Sequence, residues 1–567
     1  MRSVILTGGS FMRNNKFKVL SCMLAVVLAT GSLMAGCGKS SDAVTDSGTP
    51  QETTDSGEQG AQSTPEAQAG GETTITVNTQ SSVGAQEAWQ AVADAYMEKN
   101  PNVKVVVDLK PSEGYAEWVQ NIFTVDDPTA DIVNVNLAGT ASTGKVINFL
   151  EYADMDSPYS DGAWSEQFNF QMQTKEKGQS EWSMLSLDSV QVVWCYNKEI
   201  FEEVGVEPPT TWDELVTVCE KLDAAGYQPI TMPGDATSFW SGTFGWLAQI
   251  YTDQTTRSML DIYRAQEGDY CFDPEVDGVW KYDPTDPFND DAWKVNQNAV
   301  RAYKAVKDNV YSPSSPGMKT VWENFAKIFP KYVGGETFFG TIDPGQVSMF
   351  YQGKAAMMVD GAWRLVNFNN DMKKLSSGEE VTDATGAAIE GVKKFDLGVF
   401  NMPTMEGEGI EAPARTIEVA TGFVGAVAKD KAHDDQVVDF LMYYSSQEGQ
   451  SIYLSAGIDA GLVPQGPSLV YGVELPDDIQ AMFDQLELIG NCQKGCAAWL
   501  ARGMSDVQES VRDFYRYSYD YLTGKITIDD WLTSHQNNID TYIEDAMASS
   551  EISDNDLENP QNEPTGE

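Results

Sequence analysis

Two histidines, His433 and His535, are the whole imidazole supply of this 567-residue chain. His-rich metal sites and His-based acid–base catalysis therefore lack their usual side chain. No G-x-x-x-x-G-K-[ST] loop is present to cradle a nucleotide phosphate, and no G-x-S-x-G turn to raise a nucleophilic serine. Acids are plentiful, 85 Asp plus Glu against 37 Lys plus Arg for a net charge of −48, but nothing singles out two of them as a catalytic pair. That charge also repels phosphate backbones and anionic headgroups, so nucleic acid and membrane surfaces are not expected partners. What remains is the chemistry of non-covalent recognition: 14 tryptophans, and polar groups set at the ends of strand-like runs. Gln80 and Ser81 follow the first such run, Asn136 follows the third, and Asp188 precedes a long apolar one. Trp182 and Trp240 lie in loops that also hold Glu181 and Ser238.

Metal and disulfide chemistry find little support. Of seven cysteines, Cys22 and Cys37 belong to the N-terminal segment, leaving the odd set Cys195, Cys219, Cys271, Cys492 and Cys496. Cys195 sits in an apolar run, where a buried free thiol is expected, and Cys492 and Cys496 have no neighbouring histidine to complete a zinc set. Asp283, Asp286, Asp290 and Asp291 match no calcium-loop spacing and read as a solvated turn; the acidic run from Asp554 to Glu558 lacks the following glycine. No cofactor or metal is expected.

The elements that must position the recognition groups alternate strand and helix. Residues 74–78 and 103–107 are strand-like, and 85–100 carries Ala88, Trp89, Val92, Ala95 and Tyr96 at helical spacing, with Asn100-Pro101 as the break. Strand, helix, strand implies a parallel sheet. The pattern recurs at 130–136 and 190–196, with a helix from Thr211. The fold class expected is open α/β, with ligands beyond the carboxyl ends of the strands. Residues 251–340, punctuated by Pro, Gly and Asp, read as an insertion on one lobe.

The first 36 residues hold no acid and four bases (Arg2, Arg13, Lys16, Lys18), then an apolar run at 19–34 too short to span a bilayer. Leu33-Met34-Ala35-Gly36-Cys37 resembles the lipobox of bacterial lipoproteins, which implies cleavage before Cys37 and lipidation of its thiol. Met12 is a second plausible start. Loss of those four positive charges takes the formal charge from −48 to −52. Residues 37–72, polar and without an aromatic, are expected to form a flexible tether, and 546–567 a disordered acidic tail.

Four segments resemble the extracellular solute-binding proteins of bacterial ABC importers, in the carbohydrate branch that includes maltodextrin-binding proteins. Residues 194–215, WCYNKEIFEEVGVEPPTTWDEL, are similar to the family block YNKDLFKEAGVEPPKTWDEL. Residues 350–363, FYQGKAAMMVDGAW, resemble its F..GKAAM...G.W block. Residues 422–430 with the helix to Gly449, and 499–531, resemble its return strand and C-terminal ending. The resemblance implies a type II periplasmic-binding-protein-like fold: lobe 1 at 73–187 plus 426–468, lobe 2 at 190–421 plus 470–545, and a sugar in the interlobe cleft. Crossings would fall near 187–190, 421–426 and 468–470.

A pyranose presents apolar C–H faces and a rim of hydroxyls, so its site needs aromatic planes and fixed polar groups. By the resemblance, Trp363 and Trp499 occupy positions of stacking tryptophans. Gln80, Ser81, Asn136, Asp188, Trp182 and Trp240 are the further candidates, Tyr196 and Trp212 read as structural, and Arg502 as a surface ion pair. The function implied is a monomeric lipid-anchored receptor that closes on an oligosaccharide and hands it to permease subunits at the outer face of the cytoplasmic membrane. The competing reading is a secreted glycan-active hydrolase, and a repeat-built adhesin is a third.

Overall fold

The computed structural model describes residues 73–566 apart from 126–127, 177–180, 292, 494–496 and 505–506. The expected signal peptide, the lipidated Cys37, the tether and Cys496 lie outside the described residues. The strands are β1 (Thr73–Val77), β2 (Val103–Val107), β3 (Ile132–Val133), β4 (Thr174–Glu176), β5 (Glu181–Met184), β6 (Asp188–Asn197), β7 (Gln228–Thr231), β8 (Ala355–Gly361), β9 (Leu397–Phe400), β10 (Glu418–Thr421) and β11 (Gly425–Ala426).

One sheet runs β11-β3-β1-β2. β1 pairs in parallel with β2 from Thr73↔Val103 to Val77↔Val107 and with β3 at Val77↔Ile132. The crossover helix Ala85–Lys99 buries Ala88, Trp89, Val92 and Tyr96 against it, the stripe its 3.6-residue period predicts. Late in the chain β11 returns to this sheet, and helix Lys431–Tyr444 brings Tyr444 to within 4.4 Å of the Trp89 ring. Tyr96 Oη donates to Asp439 at 2.6 Å, fixing that return across more than 300 residues of sequence.

The second sheet runs β10-β6-β8-β7, with β9 also on β6. β6 is buried almost throughout and pairs antiparallel with β8 (Val192↔Gly361 to Tyr196↔Met357), while β7 and β8 are parallel. The motif after β6 folds as its residues dictate. Asn197 caps helix Lys198–Val204, Gly205 ends it at φ 69°, and Thr211 with Glu214 forms a capping box on helix Trp212–Ala224. Trp212 is core, its indole N–H donating to the Asn324 carbonyl at 2.9 Å. Two sheets, each with its own helices and hydrophobic core, make the mixed α/β, two-lobed architecture.

Two expectations need correction. The C-terminal residues are ordered. Helix Ile528–Ser549 runs on to Ser553, which caps helix Asp554–Glu558; Leu557 is buried, and Asn298 Nδ2 donates to the Pro560 carbonyl at 2.7 Å. Composition averaged over an acidic stretch hid Met547, Ile552 and Leu557, apolar side chains that dock it. Nor is 251–340 simply an irregular insertion. Met259, Tyr263, Val300 and Tyr303 form a core of their own with Ile539, Met547 and Leu557, and helix Pro316–Ile328 sends Trp322 and Phe325 into the core of the second sheet.

His535 ties this end together: it lies fully buried, taking the Tyr517 hydroxyl at 2.6 Å on Nδ1, with Nε2 against the Leu500 carbonyl. Burial pushes the imidazole down to about 4 from 6.5. The folded protein therefore holds the neutral ring, and this contribution is complete above pH 6.5 and drains away as pH falls through 4. The expected size is about 3 kcal/mol at most. Urea unfolding of wild type and His535→Gln at pH 7.5 and 4.5 should show the gap between them narrowing on acidification; a constant gap refutes the assignment.

Candidate ligand-binding site

The two sheets aim their strand ends at a common region because three chain segments pass between them at one place. Thr421 of β10 pairs with Asp188 of β6, Asp188 also bridges to Ser468, and Leu185 bridges to Val424 on the way into β11. Asp188, the first residue of β6, stands at that junction. Burial alone pushes its carboxyl up to about 6.

On the first sheet the parallel strands deliver polar groups to one edge. The Gln80 backbone N–H donates to Asn134 Oδ1 at 2.8 Å, the Ser81 N–H to the Lys110 carbonyl at 2.7 Å, and both side chains are exposed. Asn136 is half-buried in the short turn Val135–Leu137 after β3. Sequence reasoning missed three neighbours. Lys110 pairs with Asp108 at 2.5 Å and sits 5.4 Å from the ring of Trp118, which stacks on Tyr115. The available signal was Tyr115 and Trp118 three apart at the start of a helix after β2.

On the second sheet, β8 ends at Gly361 and helix Trp363–Ser377 begins at once. The Trp363 ring folds back over Gly361 so closely that a Cβ there would lie 2.2 Å from it, so only glycine lets the indole take this place. Trp363 is half-buried and meets Trp246 edge-on at 6.4 Å. Trp240, on the loop after the parallel neighbour β7, is also half-buried, and its indole nitrogen is buried with no hydrogen-bond partner. Trp499 lies on helix Ala497–Arg502, but its side chain is outside the described residues.

Two assignments change. Trp182 is fully buried among Phe149, Trp164 and Phe170, with its N–H on the Met184 carbonyl at 2.9 Å, so it offers no face to a ligand. Its loop of polar residues looked open, yet β5 turns the ring inward. Arg502 is not a surface residue: it is 2% exposed, and Nη1 donates to the Trp240 carbonyl at 2.6 Å. Burial pushes its guanidinium down to about 10, still charged at neutral pH. Of the insertion aspartates, Asp290 is held by Arg415 and Asp286 by Lys294, and among the described residues no acid cluster is arranged for a metal. The insertion does touch the first unit. Trp293 donates to the Gln173 carbonyl at 2.6 Å and lies 4.0 Å from the Phe170 ring, beside the chain junction. A concavity of about 670 Å³ between Tyr159, Asp161, Glu448 and Glu474 contains none of these candidates.

The sequence is matched over residues 80–451 by the family model of bacterial extracellular solute-binding proteins. The chain belongs to that family. Solved structures agree on the fold. A family 1 extracellular solute-binding protein from Bifidobacterium longum subsp. infantis aligns with TM-score 0.52 and 15% identity over 83% of this chain and all of its own. A cyclic alpha-maltosyl-1,6-maltose binding protein from Arthrobacter globiformis aligns with TM-score 0.51 and 14% identity over 84% and 100%. The apo form of RafE from Streptococcus pneumoniae gives TM-score 0.51 and 17% identity over 84% and 99%. Among the described residues of this solute-binding protein no helix is long and apolar enough to cross a membrane.

The half-buried Asp188 carboxylate yields a test. Its acid form is favoured in the fold, so charge at this site opposes folding above pH 6 and the opposition is relieved as pH falls towards 3.8. Asp188→Asn is expected to be more stable than wild type at pH 8, by about 3 kcal/mol at most, with the gain vanishing near pH 4. A loss of stability at pH 8 would mean that the carboxylate is held by a partner.

Proposed function

We propose that the protein is the substrate-binding lipoprotein of an ABC importer, anchored through Cys37 and residues 37–72, that captures an oligosaccharide between its lobes and delivers it to membrane permease subunits. The lobes would be 73–187 with 426–468, and 190–421 with 470–545, rotating about the junction at Asp188. The observation that carries the carbohydrate reading is the half-exposed Trp363 indole, held over Gly361 at the end of β8. A flat apolar face fixed by backbone contact is suited to the C–H face of a pyranose. Gln80, Ser81 and Asn136 on the opposite sheet edge supply hydroxyl partners, with Trp118 as a second platform. Names of proteins sharing the fold, such as the maltosyl-maltose binding protein, point the same way. Energy coupling would reside in partner subunits, and the receptor acts as a monomer on the outer leaflet.

A thermal-shift panel of oligosaccharides is the test. A ligand at 100 times its Kd stabilises by about 2.7 kcal/mol. Trp363→Ala is expected to abolish that shift while leaving the unliganded melting temperature within a few degrees; an undiminished shift removes Trp363 from the site. Release of shortened products during incubation would favour the hydrolase instead.

A further inference from the structure

Trp293 is held by one unit and rests against the other. Its stretch of chain is fastened to the second unit on both sides. Before it, the Arg415 guanidinium takes the Asp290 carboxylate at 2.7 Å and the Pro287 carbonyl at 2.9 Å, while also holding Asp253, the last residue of the buried helix Thr243–Asp253, at 2.5 Å. After it, Val295 is buried in the core of Tyr263 and Val300, and Asn296 donates its backbone and side-chain N–H groups to Asp277 at 2.7 and 2.9 Å. Breaking the Arg415 network would leave a buried charge unpaired, so the indole stands on a fixed base.

What the indole touches belongs to the first unit and to the junction itself. Its N–H donates to the Gln173 carbonyl at 2.6 Å, and its ring lies 4.0 Å from that of Phe170, which packs on the first unit's core at Trp182. The buried Gln173 side chain exchanges two hydrogen bonds with the Ser186 backbone, donating to its carbonyl at 2.7 Å and accepting from its N–H at 2.9 Å. Nearby, the Asn169 N–H donates to the Leu469 carbonyl at 2.8 Å, and Phe168 bridges to Val470. The residues under Trp293 are thus bonded to two of the three segments that pass between the units. Rotation of one unit against the other has to slide the ring or stretch a hydrogen bond that is lost beyond about 3.5 Å.

We propose that Trp293 is a latch between the two units: the insertion that carries it sets how often they rotate about the Asp188 junction, and with that the affinity for what they enclose. One half-buried ring and one hydrogen bond can open and re-form without unfolding either core. The latch itself needs no sugar; only its effect on affinity rests on the receptor reading above.

Amide hydrogen exchange of the folded, ligand-free chain is the test, because the rate follows how often bonded amides open. Trp293→Ala is expected to speed exchange at least fivefold at Ser189, Val424 and Leu469, whose N–H groups bond one crossing segment to another. Helix Ala299–Lys307, in the insertion's own core, should stay within twofold. Unchanged exchange at the crossings overturns the inference, and so does faster exchange confined to 254–340, since Trp293 would then serve only the insertion. Trp293→Phe keeps a ring on Phe170 and removes the N–H; it should give an intermediate rise, and it decides the matter if Trp293→Ala does not fold. With a glycan identified by thermal shift, Trp293→Ala should move Kd threefold or more, upward if ligand favours the latched arrangement and downward if it favours a released one. An unchanged Kd overturns the control of affinity. No binding by any glycan defeats the receptor reading and leaves the exchange rates to decide the latch.

Discussion

Everything in this molecule depends on one stretch of backbone pairing. Asp188 begins β6, and within a few residues of it the chain exchanges hydrogen bonds with Thr421, Ser468 and Val424 segments that run between the two sheets. Backbone pairing across so few residues joins two separately packed units, and Leu365 and Val366 add side-chain packing with Ile458 and Val463. It also sets which strand ends look at each other. β6 is antiparallel to β8 with Val192 opposite Gly361, so fixing Asp188 at the junction brings the Gly361 end of β8 to the same end of this sheet. Trp293, reaching from the insertion onto Phe170 and the Gln173 carbonyl, adds a contact between the two units.

The proposed site would be suited to holding, with Trp363, Trp118 and Trp240 as its planes and amides and hydroxyls as its polar groups. Burial shifts two charges that have no ion-pair partner among the described residues, the Asp188 carboxyl and the Arg502 guanidinium. Elsewhere in the core charge is matched, as Arg415 with Asp253 and Asp290 illustrates.

Much of the fold was legible because local rules and tertiary context agree. β2 spans the residues read as a strand, the helix at 85–99 buries Ala88, Trp89, Val92 and Tyr96 of the five its period marked and half-buries Ala95, and Thr211 with Glu214 makes the capping box their spacing announces. Failures share a cause: inference from composition where orientation decides. Trp182 lies among polar neighbours yet points inward; the acidic C-terminal stretch docks through Ile552 and Leu557; Arg502 follows a loop yet is sealed under Trp240. Lys110 and Trp118 escaped because their significance comes from Trp118 lying under the Lys110 ammonium, a contact that no spacing rule encodes. The amino-terminal segment read as a lipoprotein signal stays an inference from sequence alone.

The central claim is that ligand closes two units about the Asp188 junction, and small-angle X-ray scattering reads this directly. With a saturating oligosaccharide identified by thermal shift, the account predicts a smaller radius of gyration and a shortened maximum dimension at unchanged mass. Binding with a scattering curve identical to that of the free protein would contradict it.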